Sequence, residues 1–198
     1  EEGGIKRRSY SIVTRVSPSA WMDIAVSYVS EGFASKKFKD MCIGDEFQML
    51  GPVGRLVLQA EPMKRLILVG TGTGVAPYRS MLPVLAEKLK QDPALEIVIL
   101  QGVAHRTDIL YLQDFIEFAA SCPRVTYVSC LSREETEMQA HESRGRVQRY
   151  LETMTFAPGQ EVVYLCGNPN MIDESFAQLS ALGFSSKDIR REKYISSS

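Results

Sequence analysis

Apolar and polar positions follow two different patterns, and the change falls near Glu61-Pro62. Beyond that point, short continuous apolar runs alternate with longer amphipathic stretches. Arg65 to Gly70 is apolar at successive positions, the signature of a strand buried on both faces. Leu95 to Gly102, Val125 to Cys130 and Glu161 to Gly167 read the same way, and Ile189 to Ile195 makes a fifth strand. Helical stretches fall between them, at about Pro77–Gln91, Asp108–Ala120, Gly145–Thr153 and Pro169–Leu182. Pro83 is expected to kink the first. This alternation predicts an α/β doubly wound parallel five-stranded sheet with right-handed crossovers. Ligands of such sheets sit at the carboxyl ends of the strands, where the strand order reverses.

Before Glu61 the elements are shorter. Tyr10 to Thr14 and Met22 to Val29 are rich in strand formers. Glu46 to Leu50 and Leu56 to Leu58 flank a Gly51-Pro52-Val53-Gly54 turn. Ser35 to Met41 allows about one helical turn. Two units follow from this pattern, a small antiparallel β unit over 1–60 and the α/β unit over 61–198.

The 198 residues carry 23 Lys+Arg against 24 Asp+Glu, so net charge gives no reason to expect a nucleic-acid partner. No apolar run reaches the roughly 18 residues of a membrane helix. Cys42, Cys122, Cys130 and Cys166 have neither zinc nor iron–sulfur spacing, and no metal site is expected. So few cysteines in a chain of this length fit a reducing, cytoplasmic compartment.

Three strand ends carry candidate chemistry. Gly70-Thr71-Gly72-Thr73-Gly74-Val75-Ala76-Pro77 joins the first buried strand to a helix. Its glycines let backbone approach a bulky anion, and the helix start offers amides to phosphate. No Gly-Lys-Ser/Thr follows, so it is not a P-loop, and the glycines do not fit GxGxxG. Ser132 and Arg133 follow the third strand. An arginine there can add a charge-assisted bond of roughly 1.5–3 kcal/mol to a 2′-phosphate. Alone, Arg133 reads first as a solvated loop residue. Tyr164-Leu165-Cys166-Gly167-Asn168-Pro169-Asn170-Met171 ends the fourth strand, with Asn168 and Pro169 placed to start a helix. Alone, Cys166 reads first as a small buried hydrophobe.

Six segments occur in order: Arg8-Ser9-Tyr10-Ser11, Gly32-Phe33-Ala34-Ser35, the glycine loop, Ser132-Arg133-Glu134, the segment around Cys166, and Glu192-Lys193-Tyr194. Together they resemble the ferredoxin/flavodoxin–NADP reductase family, over about Lys6 to Tyr194. The resemblance implies an NADP-binding α/β domain preceded by a β-barrel flavin domain, with FAD and NADP as cofactors. It implies that Arg8 pairs with the FAD pyrophosphate, Tyr10 packs on the flavin and Ser11 bonds near the hydride-accepting nitrogen. Gly32, Phe33, Ala34 and Ser35 would give a second pyrophosphate contact, and Val26 and Tyr28 further flavin contacts. Gly70, Thr71, Gly72, Thr73, Gly74 and Pro77 would hold the dinucleotide, Ser132 and Arg133 its 2′-phosphate. Cys166, Gly167 and Met171 would wall the nicotinamide, while Glu192 tunes the hydride site and the Tyr194 ring covers the flavin. The catalytic set implied is Ser11, Cys166, Glu192 and Tyr194.

The family's barrel has six strands, which need about 65 residues. Residues 1–60 supply four, so the barrel is expected to be truncated at its N-terminus. The activity implied is transfer of a hydride from NADPH to FAD, then of single electrons to ferredoxin or flavodoxin. Alternatives are the reductase component of an oxygenase, a free-flavin reductase, a flavin-free dehydrogenase, and a nucleotide-binding module that has lost flavin.

Overall fold

The computed structural model describes residues 7–14 and 21–194. The six strands are β1 (Arg65–Thr71), β2 (Glu96–Val103), β3 (Val125–Leu131), β4 (Glu142–Arg144), β5 (Glu161–Gly167) and β6 (Ile189–Lys193). They form one parallel sheet in the order β4-β3-β2-β1-β5-β6. The chain winds outward from β1 to β4, then returns to the other side of β1. The reversal therefore lies between β1 and β5, where Gly70 pairs with Cys166.

Among the described residues five helices accompany the sheet: α1 (Phe33–Asp40), α2 (Ala76–Gln91), α3 (Leu112–Ala120), α4 (Val147–Glu152) and α5 (Pro169–Ala181). The continuous apolar runs are explained by two cores. Leu66, Leu68, Ile97, Ile99 and Tyr164 face Tyr78, Leu85 and Leu89 of α2 and Phe115 of α3. Their alternating neighbours Ile67, Val69, Val98, Leu100 and Val163 face Val147 and Leu151 of α4 and Ile172 and Leu179 of α5. A strand clothed on both faces has no polar positions left to show an alternation.

Several expectations are corrected. The sheet has six strands, not five. β4 is a three-residue edge strand of Glu, Ser and Arg, too short and too polar to give a hydrophobic signal. The second helix starts at Leu112, after a 3-10 turn at Arg106–Asp108 and a left-handed Tyr111 at φ 55°. α1 is longer than the single turn expected. β6 ends at Lys193, and Ile195 lies outside the described residues.

The antiparallel barrel is not formed among the described residues before Glu61. Tyr10 to Thr14 and Met22 to Val29 meet in one bridge, Ile12 to Ile24, and 46–50 and 56–58 form no strand. Strand propensity without a laddered partner does not make a sheet, and two strands alone are marginal. Trp21, Ile43, Leu50 and Val53 remain exposed there. The segment is tied to the α/β sheet at particular points. Val13 is buried and its carbonyl lies 3.5 Å from Arg79 Nη1. Leu56 enters the α2-side core, and the Gln59 amide donates to Tyr164 Oη at 3.0 Å.

Backbone meets backbone at the reversal point. A Cβ on Gly74 would lie 2.3 Å from the Cys166 carbonyl oxygen, and one on Gly167 would lie 2.5 Å from that of Thr71. Gly74→Ala is expected to lower stability by about 2–3 kcal/mol, the scale of overpacking a tight core. Urea unfolding checks this, and an unchanged midpoint contradicts it.

Candidate functional site

The glycine loop leaves β1 at the reversal point. Gly72 takes φ 54°, with open space above its Cα. The 3-10 turn Gly72–Val75 then leads into α2, which has no side-chain cap and carries Pro77 in its first turn. An α-helix leaves its first amides without partners inside the helix. Thr71 Oγ1 accepts from the Asn168 amide at 2.9 Å, joining the ends of β1 and β5. Below the loop, Tyr78 is buried, its hydroxyl 3.0 Å from the Val69 carbonyl and 2.9 Å from that of Tyr164.

A cavity of about 240 Å³ opens here, lined by Ser27, Thr71, Gly72, Thr73, Gly167, Asn168 and Tyr194. Ser27 Oγ reaches across to Thr73 Oγ1 at 3.2 Å, so residues from before Glu61 form one wall. The space suits one flat ring rather than a whole dinucleotide, since drug-sized ligands need roughly 300–1,000 Å³.

Beside the cavity, Ser11 meets Glu192 and Tyr194. Tyr194 follows β6 and is pinned by its amide to the Gly167 carbonyl at 2.8 Å. Its hydroxyl donates to Ser11 Oγ. Ser11 in turn donates to Glu192 Oε1 at 3.3 Å. Burial pushes the Tyr194 phenol well above its ordinary value, with the neighbouring Cys166 acting in the same direction. Burial also pushes the Cys166 thiol up to about 12, against a smaller opposing pull from Tyr194. A thiol so placed stays protonated and apolar at neutral pH. Ser11, Glu192 and Tyr194 thus share one half-buried corner, with Cys166 fully buried beneath it and outside the cavity lining.

The other singled-out residues are dispersed. Arg8 is exposed and donates to the Arg7 carbonyl at 2.8 Å. Tyr10 stands edge-on to Phe38, ring centres 5.6 Å apart. Val26 is half-buried and Tyr28 exposed. Gly32 precedes α1, whose start has no side-chain cap. Phe33 is exposed, Ala34 half-buried, and buried Ser35 accepts from the Val29 amide at 2.8 Å. Gly70 and Gly74 are buried against neighbouring backbone. Ser132 and Arg133 are exposed at the end of β3, their amides on the Val103 and Ala104 carbonyls at 3.1 and 2.9 Å. Met171 is buried, its amide capped by Asn168 Oδ1 at 3.3 Å.

Sequence reasoning missed Ser27, Tyr78 and Arg79. Ser27 lies between Val26 and Tyr28, so strand alternation offered it as their opposite face. Arg79 carries no motif. It pairs with Asp114 at 3.0 Å, lies 4.9 Å over the Tyr111 ring and reaches Val13.

An uncapped glycine loop at the reversal point of a doubly wound sheet, with a cavity beside it, has the form of a dinucleotide-binding domain. The sequence model of the oxidoreductase NAD-binding domain family matches residues 68–175, more than half of the chain, and the chain belongs to that family. Its relatives include a ferredoxin–NADP reductase and reductase components of oxygenases. It is 30% identical over 155 residues to the toluate 1,2-dioxygenase electron transfer component of Pseudomonas putida, covering 78% of this chain and 44% of that protein. It is 29% identical to ferredoxin–NADP reductase B of Sorangium cellulosum, over 97% of this chain and 80% of that one. Among solved structures, an Amycolatopsis cytochrome P450 reductase matches with TM-score 0.83 and 26% identity, over 100% of this chain and 59% of that one. A Neisseria gonorrhoeae ferredoxin NADP+ reductase with bound FAD and NADP shares the fold, with TM-score 0.76 at 18% identity over 94% and 79% of the two chains. The chain spans about half the length of the oxygenase reductase components it matches. Among the described residues no helix is long and apolar enough to cross a membrane.

The raised thiol gives a direct check. Thiolate accumulates only as pH nears about 12, so at pH 8 iodoacetamide is expected to label exposed Cys42 and leave Cys166 intact. Peptide mapping by mass spectrometry reads both sites, and urea is expected to release Cys166 for labelling. Labelling of Cys166 in the folded chain at pH 8 contradicts this.

Proposed function

We propose that the chain carries the hydride-receiving site of a reductase that draws electrons from NADPH and delivers them singly to ferredoxin or flavodoxin. The observation that carries this reading is the corner formed by Ser11, Glu192 and Tyr194 over buried Cys166, beside the glycine loop. In this reading residues 1–60 belong to the FAD side and 61–198 to the NADP side.

The residues fit both cofactors. The amide ends of α1 and α2 suit two pyrophosphates, and the open face of Gly72 lets backbone approach one of them. When bound, FAD converts two-electron hydride chemistry into single-electron steps. The chain's own groups bind, orient and exclude water. Arg8 and the Gly32–Ser35 turn would hold the FAD phosphates. Gly70 to Pro77 would hold the dinucleotide, with Ser132 and Arg133 at its far end. Cys166 would set the approach of the ring through its size and apolar, protonated state. Misplacement by about 1 Å costs on the order of 100-fold in such geometry. Ser11 both accepts a hydrogen bond and donates one, so a proton can be held at its Oγ between Tyr194 and the Glu192 carboxylate.

A second reading keeps the site and changes the acceptor, making the chain part of an oxygenase reductase component. The names of the toluate dioxygenase, propane monooxygenase and phenol monooxygenase relatives favour it. An acceptor panel separates the two. With FAD supplied in excess and NADPH as donor, ferredoxin or flavodoxin is expected to be reduced faster than an isolated oxygenase component.

Arg133 gives the sharper check on the donor. Arg133→Ala is expected to raise KM for NADPH by about 10- to 100-fold, the range of a lost charge-assisted bond, while NADH is unaffected. Equal use of NADH and NADPH by the unaltered chain contradicts the reading.

A further inference from the structure

The loop after β3 is acidic, carrying Glu134, Glu135 and Glu137, and β4 opens on Glu142, nine residues beyond Arg133. Left to itself, such a loop would repel a phosphate. One residue on a different strand end organises it. Arg106 lies in the 3-10 turn after β2, and its guanidinium holds the Glu142 carboxylate bidentately, at 2.6 Å to each oxygen. The same guanidinium donates to Thr136 Oγ1 at 2.9 Å and to the Glu137 carbonyl at 2.8 Å. The Arg106 amide donates to Glu134 Oε2 at 3.0 Å. The Glu142 side chain has no exposed surface, so its charge depends on this partner.

The carboxylates respond as this geometry requires. The Arg106 amide, with help from Thr136, holds Glu134 down at about 2. The Arg106 guanidinium also lowers Glu142. Both are ionised at neutral pH and both are engaged within the loop. Glu142 Oε2 also accepts from the Gln139 amide at 2.8 Å, and Arg144 donates to the Thr136 carbonyl at 2.9 Å. The start of the loop is treated differently. Ser132 and Arg133 are anchored by their amides, and the Arg133 guanidinium stays exposed with no partner among the described residues.

We propose that Arg106 is a positioning residue for dinucleotide choice: it folds the acidic loop back onto the turn after β2, so that Arg133 is the charge presented to a 2′-phosphate. This rests on Ser132 and Arg133 being the 2′-phosphate contact. A planar fork is needed here, because the grip combines two carboxylate oxygens, a hydroxyl and a carbonyl. The Arg106 guanidinium is fully engaged by Glu142, Thr136 and the Glu137 carbonyl, so its effect passes through Glu142 and Glu134. Two consequences follow. Loss of Arg106 should weaken the dinucleotide that carries the 2′-phosphate and spare the one that does not. Removal of the stranded Glu142 charge should restore part of the loss.

Calorimetric titration of the full chain with NADP+ and with NAD+ tests this without turnover. The unaltered chain is expected to bind NADP+ more tightly, and Arg133→Ala to abolish the preference. Arg106→Ala is expected to weaken NADP+ by about 10-fold, equivalent to about 1.4 kcal/mol, with NAD+ unchanged. Arg106→Ala combined with Glu142→Gln is expected to recover part of that loss. Circular dichroism monitors folding. If Arg106→Ala does not fold, Arg106→Lys decides, since it keeps the charge and loses the fork; a smaller loss confined to NADP+ is expected. Equal weakening of NADP+ and NAD+, or no weakening of NADP+ while Arg133→Ala removes the preference, overturns the role of Arg106. Absence of any preference in the unaltered chain, or its survival in Arg133→Ala, overturns the 2′-phosphate contact itself and the proposal with it.

Discussion

The site depends on a close approach of two backbones. The loop after β1 and the end of β5 lie so near each other that neither Gly74 nor Gly167 has room for a side chain. The same two strand ends are joined by the Asn168 amide, which donates to Thr71 Oγ1. The close approach also sets Cys166 directly under the loop, since Gly70 and Cys166 are paired across the two strands. Tyr78 braces the same junction from below, through the carbonyls of β1 and β5. A doubly wound sheet always leaves a crevice where its order reverses. Here the glycines determine how closely the two strand ends approach.

The α/β part was legible because its strands are buried on both faces. Continuous apolar runs such as Leu66 to Val69 fit little besides a central parallel strand when no segment reaches membrane length. β4 was illegible for the opposite reason: Glu142, Ser143 and Arg144 pair with β3 through backbone alone, at an edge where side chains carry no pattern. The stretch before Glu61 misled in a different way. Met22 to Val29 has the composition of a strand, yet one bridge at Ile24 is all it forms among the described residues. Strand composition states a preference for a pleated, half-buried surface, and the preference is realised only when a partner supplies the ladder.

The corner of Ser11, Glu192 and Tyr194 over Cys166 was reached through likeness to a family, residue by residue. Nothing in local spacing places position 11 beside positions 192 and 194. What composition and periodicity could not give is the set of long-range polar contacts. Ser27 with Thr73, Arg79 with Val13 and Arg106 with Glu142 each join segments at least 36 residues apart. Such pairs have no sequence signal in a single chain, and they help to attach the N-terminal segment and the acidic loop to the sheet.

In the function proposed for this chain, Ser11 and Glu192 act as one unit through the hydrogen bond that joins them. A double-mutant cycle with Ser11→Ala and Glu192→Gln tests it most directly, read as the rate at which NADPH bleaches bound flavin under anaerobic conditions. Groups that work as a unit lose most of their effect when either is removed. The double variant is therefore expected to be about as slow as the slower single variant. Independent, multiplicative losses would contradict the claim, because Ser11 and Glu192 would then contribute separately rather than through the bond that joins them.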